Sequence, residues 1–221
     1  MAQVQSANTV GFQNNTSVAG FNWFAPNFTT VGETTACFGD ITISGEDVVE
    51  YGDNIQIVDV DGNCEALYYW AGEDGWFDMD GTGSYMNDEA IVRGKSFIVY
   101  TDVAGATIQI SGEVVTNDVV FAASSEAGFN WIGNPYPVAI TYSNITISGE
   151  DVVEYGDNIQ IVDADGNCEA LYYWAGDDGW FDMDGTGSYM NEEAIPAGKG
   201  FIVYTDVAGA TITINGPALS L

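Results

Sequence analysis

Two kinds of apolar pattern recur along the chain. Ile41-Thr42-Ile43-Ser44, Ile55-Gln56-Ile57 and Ala106-Thr107-Ile108-Gln109-Ile110 place an apolar residue at every second position, which is the period of a half-buried strand. Ala66-Leu67-Tyr68-Tyr69-Trp70 and Phe97-Ile98-Val99-Tyr100 are unbroken apolar runs rich in aromatic and β-branched residues, and they predict central strands. Between them lie Gly45, Gly52, Asp61-Gly62, Gly72, Gly75, Gly81, Gly83, Gly94 and Gly105, a turn signal every ten or so residues. No window between these signals sustains a helical period for three turns. The expectation is an all-β chain.

The same pattern then repeats. Residues 41–110 recur as residues 145–214 without insertion or deletion, each position shifted by 104. The pairs that differ are Val60/Ala164, Glu73/Asp177, Asp88/Glu192, Val92/Pro196, Arg93/Ala197, Ser96/Gly200 and Gln109/Thr213. Upstream, Phe21-Asn22-Trp23 matches Phe129-Asn130-Trp131 after a four-residue length change. A unit of roughly 100 residues is too long for a solenoid repeat and is a normal size for a domain with its own core. The chain therefore reads as two tandem, near-identical β-sandwich domains, jelly-roll or immunoglobulin-like, of about seven or eight strands each. The first spans residues 1–114 with its N-terminal strand, and the second residues 115–221. Thr116 to Ala123, ahead of Gly128-Phe129-Asn130-Trp131, corresponds to Ala7 to Phe12 ahead of Gly20-Phe21-Asn22-Trp23, so each domain is expected to begin with a strand of its own.

Charge narrows the partners. Thirty-three acidic residues face only Arg93, Lys95 and Lys199, a formal charge of −30. Nucleic acid and anionic membranes are bound by clustered Lys and Arg and are poor partners for such a chain. There is no histidine, which excludes Ser/His/Asp and Cys/His nucleophile arrangements and leaves the expectation that the protein is not an enzyme. No apolar run reaches the length of a membrane span and no signal-peptide pattern is present; the opening Met1-Ala2-Gln3-Val4 suits a mature secreted chain given a new initiator. Cys64 and Cys168 occupy equivalent places, whereas Cys37 aligns with Thr141. They read either as small packing residues or, for Cys37, as an intermolecular bridge.

Three motifs carry candidate chemistry. Asp78 to Glu89, repeated at Asp182 to Glu193, sets Asp78, Asp80, Thr82 and Glu89, and likewise Asp182, Asp184, Thr186 and Glu193, at positions 1, 3, 5 and 12 of a twelve-residue calcium loop, with Gly83 at the turn. Ca2+ is the cofactor this spacing suits, although Gly72 and Gly75 break any entering helix, and an acidic surface loop fits the same residues. Asp59-x-Asp61-Gly62-Asn63, repeated at Asp163 to Asn167, makes a tight hairpin turn. Tyr68, Tyr69, Trp70, Trp76 and Phe77 and their counterparts are core residues or a platform for sugar rings, with Tyr69, Trp76, Tyr173 and Trp180 the candidates for carbohydrate.

Gly133-Asn134-Pro135-Tyr136-Pro137, followed much later by Ile195-Pro196-Ala197-Gly198-Lys199-Gly200-Phe201, resembles the secreted β-sandwich repeats of bacterial surface and extracellular proteins. The first repeat departs from that pattern with Ala25-Pro26-Asn27-Phe28 and Val92-Arg93-Gly94-Lys95-Ser96. The resemblance implies secretion and a surface or matrix setting, and no reaction. The function expected is a self-assembling extracellular subunit of a filament, surface layer or matrix. Its polymer would run head to tail, with the segment from Gln3 to Phe12 adding to a neighbour's sheet. The alternative is a calcium-dependent module that binds polysaccharide.

Overall fold

The computed structural model describes residues 10–33, 35–45, 52–59, 61, 63–114, 119–122, 127–149, 156–184 and 186–216. The first repeat contains β1 (Val10–Thr16), β2 (Gly20–Phe24), β3 (Phe28–Thr29), β4 (Ala36–Cys37), β5 (Ile41–Ser44), β6 (Asn54–Val58), β7 (Cys64–Trp70), β8 (Trp76–Asp78), β9 (Ala90–Ile91), β10 (Phe97–Thr101) and β11 (Thr107–Val114). The second contains β12 (Val119–Ala122), β13 (Gly128–Gly133), β14 (Ile140–Thr141), β15 (Ile145–Ser148), β16 (Asn158–Val162), β17 (Cys168–Trp174), β18 (Trp180–Asp182), β19 (Ala194–Ile195), β20 (Gly200–Thr205) and β21 (Thr211–Ile214). Each repeat forms a five-stranded antiparallel sheet, β2-β10-β6-β7-β8 or β13-β20-β16-β17-β18. This sheet packs on a smaller one, in which β11 lies between β1 and β5, or β21 between β12 and β15. The all-β, two-sandwich architecture is the one the patterning predicts.

The alternating segments behave as alternation requires. Ile41 and Ile43 are buried while Thr42 and Ser44 are exposed, and β11 turns Ile108 and Ile110 into the core. Phe97 and Val99 meet them from the opposite sheet. Trp76 fixes the two sheets together: it has no exposed surface, and its indole N–H donates to the Ile41 carbonyl at 2.8 Å. Trp180 repeats the arrangement on Ile145 at 2.8 Å. A buried indole needs such a partner, because an unmatched N–H away from water is costly.

Sequence comparison aligns Val10 with Val119, but the pairing registers differ. Val119 lies opposite Ile214, which is the place that Gln13 takes opposite Ile110 in the first repeat. β1 is thus three residues out of step with β12, and an odd shift reverses which face a side chain occupies. Val10, Phe12, Asn14 and Thr16 consequently point outward, and Gln13 and Asn15 inward.

The outer faces of the two five-stranded sheets meet each other. Trp23 and Trp131 stack at 4.7 Å with their planes 11° apart. Val58, Ile98, Val162 and Ile202 surround them in a cluster separate from both sandwich cores. The contact is reciprocal: Trp131 donates to the Asp59 carbonyl at 2.8 Å and Trp23 to the equivalent Asp163 carbonyl at 3.3 Å. Backbone bonds run from Ala25 N to Gly198 O at 2.9 Å and from Gly133 N to Gly94 O at 3.1 Å. The two repeats are therefore related by an approximate two-fold axis that passes beside the stacked indoles.

Candidate functional site

The acidic loop after β8 is held by its own hydrogen bonds. Asp78 Oδ1 accepts the Asp80 amide at 2.9 Å, and Asp80 Oδ1 accepts the Thr82 amide at 2.7 Å and its hydroxyl at 2.6 Å. These bonds, the hydroxyl foremost, hold the Asp80 carboxyl below its ordinary pKa, and Thr186 does the same for Asp184. Glu89 and Glu193 are exposed further along the loops. Among the described residues no group of three or more His, Cys, Asp or Glu is gathered to hold a metal. Asn87 anchors the loop: its side-chain oxygen accepts the Trp76 amide at 2.8 Å while its amide donates to the Tyr85 hydroxyl at 2.6 Å.

The aromatic candidates divide by strand face. Trp76 and Trp180 have no exposed surface, so the expectation that they form a sugar platform is corrected: both are core pins. Tyr69 lies opposite the inward Tyr68 and Trp70 by strand alternation, and it stacks on Phe77 at 5.7 Å and 23°. Phe77 in turn meets Tyr85 edge to face at 5.5 Å, and Tyr85 is 56% exposed. Tyr173, Phe181 and Tyr189 form the same strip at 5.6 and 5.4 Å. Beside the first strip a cleft of about 210 Å³ is lined by Tyr69, Asp78, Met79, Gly81, Thr82 and Gly83. Sequence reading assigned Tyr85 to the acidic loop alone; its place next to Phe77 depends on a bridge between the two residues that no local pattern announces.

The Asp59 hairpin is a turn, as its sequence predicts. Asp59 Oδ1 accepts the amides of Asp61 and Asn63 at 2.9 and 2.8 Å. In the second repeat Asp163 does the same for Asp165 and Asn167, and the Asn167 amide is the chief cause of its lowered pKa. This turn also presents the carbonyl that receives the other repeat's tryptophan. Cys64 and Cys168 are exposed and Cys37 is half-buried, all as free thiols. The packing role suggested for the first two is thus corrected; they lie at the open end of β7 and β17.

The two motifs that carry the bacterial-repeat resemblance meet in space. The Asn134 side chain donates to the carbonyls of Val138, Ile195 and Pro196 at 2.9, 3.1 and 3.1 Å, and accepts the Tyr136 amide at 3.0 Å. Tyr136, fully buried, donates to Ile214 O at 2.8 Å. Their role in this chain is to lock the β13 end onto the loop before β20.

The feature least explained by folding alone is β1. Among the described residues it pairs only with β11 and forms the edge of its sheet. Val10 and Phe12 are 61% and 66% exposed, and with Gly11, Val31, Asp40, Ser111 and Gly112 they line a groove of about 370 Å³. Inward, Gln13 donates to Ala197 O at 2.9 Å and accepts from Asn27, while Asn15 Nδ2 is buried with no hydrogen-bond partner among the described residues. The strand therefore shows water its apolar face. Residues 3–9 of the expected assembly segment lie outside the described residues. No protein-family model, curated protein or solved structure significantly matches the chain.

Proposed function

We propose that this protein is a self-associating structural subunit of an extracellular or cell-surface assembly, in which the β1 edge of one molecule meets another copy. The observation that carries this reading is the inverted strand. A sheet edge is a template for strand addition, and on β1 it presents the exposed Val10 and Phe12, with Val31 and the carboxylate of Asp40 lining the same groove. In a chain of formal charge −30, an edge strand that itself carries no charged residue opposes the approach of a second copy less than a charged strand would. The test is Val10→Asn with Phe12→Asn, imaged beside the parent protein at high concentration. Ordered polymers from the parent and none from the variant, with the two melting alike, support the reading; polymers from both remove it.

A second reading, polysaccharide binding, is favoured by the duplicated strip of Tyr69, Phe77 and Tyr85. Affinity gels containing neutral polysaccharides should retard the parent and not Tyr85→Ala with Tyr189→Ala. Calcium against sodium at matched ionic strength forms a separate arm of that gel.

A further inference from the structure

The junction between the repeats contains a pairing rule. At the two-fold axis, repeat one carries Ala25 and Ser96 where repeat two carries Gly133 and Gly200. A methyl group on Gly133 would stand 2.6 Å from the Ala25 Cβ and 2.5 Å from Lys199 O. One on Gly200 would stand 2.9 Å from Phe24 N, 3.0 Å from the Ser96 Cβ and 3.0 Å from the Trp23 carbonyl carbon, all in the other repeat. The glycines let β13 and β20 extend one pair further, to Gly133 opposite Gly200, than β2 and β10, whose last pair is Phe24 opposite Phe97. Two copies of repeat one would set Ala25 against Ala25 and Ser96 against Ser96, whose Cβ atoms would in this geometry stand about 2.6 and 3.0 Å apart. Repeat one therefore buries its Trp23 face with less crowding on a repeat two than on another repeat one.

We propose that the same junction forms between molecules, with repeat one of one chain seated on repeat two of the next. This rests on the self-association reading and supplies a second, separate surface for it. Everything that recognises repeat two is displayed by repeat one of any copy: Trp23, Val58, Ile98, Ala25 and the Asp59 carbonyl. Because each chain brings one repeat of each kind, every repeat one is satisfied only if every junction joins a one to a two. Exchanged molecules then form a closed pair or a head-to-tail chain, and the rule fixes the polarity of that chain. Only residues 115–118 separate β11 from β12, and a short tether holds its own partner at an effective concentration on the order of millimolar. The closed molecule therefore dominates in dilute solution, and exchange grows on refolding at high concentration, the familiar route of domain swapping.

The test is to unfold 14N- and 15N-labelled full-length protein, mix the two, refold below and near that concentration, and read the oligomers by native mass spectrometry. Mixed-isotope species should increase with refolding concentration in the parent. Gly200→Ser places in repeat two the residue that repeat one holds at the equivalent position, and the three atoms nearest to the added Cβ all belong to the other repeat. This variant should keep its β-sheet circular dichroism, show red-shifted tryptophan emission and lose the mixed species about tenfold or more. Val10→Asn with Phe12→Asn should retain them. A parent that stays monomeric at every concentration overturns the proposal, as do mixed oligomers that survive Gly200→Ser. If only the β1 variant abolishes them, assembly runs through the edge strand and not through the junction.

Discussion

Replacing Trp131 by alanine separates the stability of the junction from that of the two sandwiches. The indole is 8% exposed, stacks on Trp23 at 4.7 Å and donates to Asp59 O at 2.8 Å. Truncating a buried tryptophan costs about 3–5 kcal/mol. Of this, the aromatic pairing accounts for about 0.5–1.5 kcal/mol beyond burial, and the hydrogen bond for about 1 kcal/mol. The cluster it belongs to is distinct from both cores, so the loss falls on the contact between repeats and leaves Trp76 and Trp180 in place. The parent should unfold in one calorimetric transition, and Trp131→Ala in two. In a double-mutant cycle Trp23→Ala, made second, should cost about 1–3 kcal/mol less than it does alone, since its stacking partner has already gone. A single transition at an unchanged midpoint, or costs additive to within about 0.5 kcal/mol, would show that the stacked pair does not bind the halves together.

Gly75→Ala and Gly179→Ala should each destabilise their repeat by about 1–3 kcal/mol, because both residues hold a φ near +92° to +93° with ψ near −145° to −146°, a region almost confined to glycine. The new methyl would also press on the amides of Asn87 and Asn191; thermal melts measure the shift. Asn134→Ala removes three donated bonds and one accepted bond and should lower stability by about 3 kcal/mol, read as a fall in urea midpoint with an unchanged slope. Burial raises the pKa of Tyr142, Tyr68 and Tyr172 above the ordinary 10.0. The folded state thus holds these protons more tightly than the unfolded one, so their contribution is complete below pH 10 and is lost as pH rises beyond it. Alkaline unfolding should coincide with a cooperative rise in tyrosinate absorbance, and Tyr142→Phe should make the loss of stability less steep.

How much of this was legible in the sequence depended on whether a pattern fixed the phase of a strand as well as its existence. Ile41-Thr42-Ile43-Ser44 fixes both, since only one of its faces is apolar, and the structure buries that face. Trp76-Phe77 fixes neither: two adjacent aromatics must face opposite ways, and which one enters the core is decided by the distant Ile41 carbonyl that receives the indole. For β1 the pattern misleads. Val10 and Phe12 look like inward residues, yet pairing with Ser111 and Glu113 turns them out and brings Gln13 and Asn15 in. The junction was hidden for a related reason. Trp23, Val58 and Ile98 have core composition, and nothing local distinguishes an inner face from an outer face that another domain covers. Ser96/Gly200 was visible as one difference among seven. Its meaning appears only when the two positions face each other across an axis.

The charge distribution bears on why the halves meet where they do. Each sandwich is strongly acidic, and packing two like-charged bodies together is opposed by a repulsion that burial must overcome. Arg93, Lys95 and Lys199 are the whole basic content of the chain, and all three stand in the two loops that cross the junction, where Lys95 bridges to Ile132 and Lys199 to Phe24. Burial lowers the pKa of Lys199, and Glu169 partly offsets that loss. A cation placed where desolvation works against it has been located by something other than its own solvation. Here they stand in loops beside the contact between two acidic repeats, where positive charge offsets part of the mutual repulsion. The apolar indoles supply the attraction between repeats and the three cations weaken what opposes it.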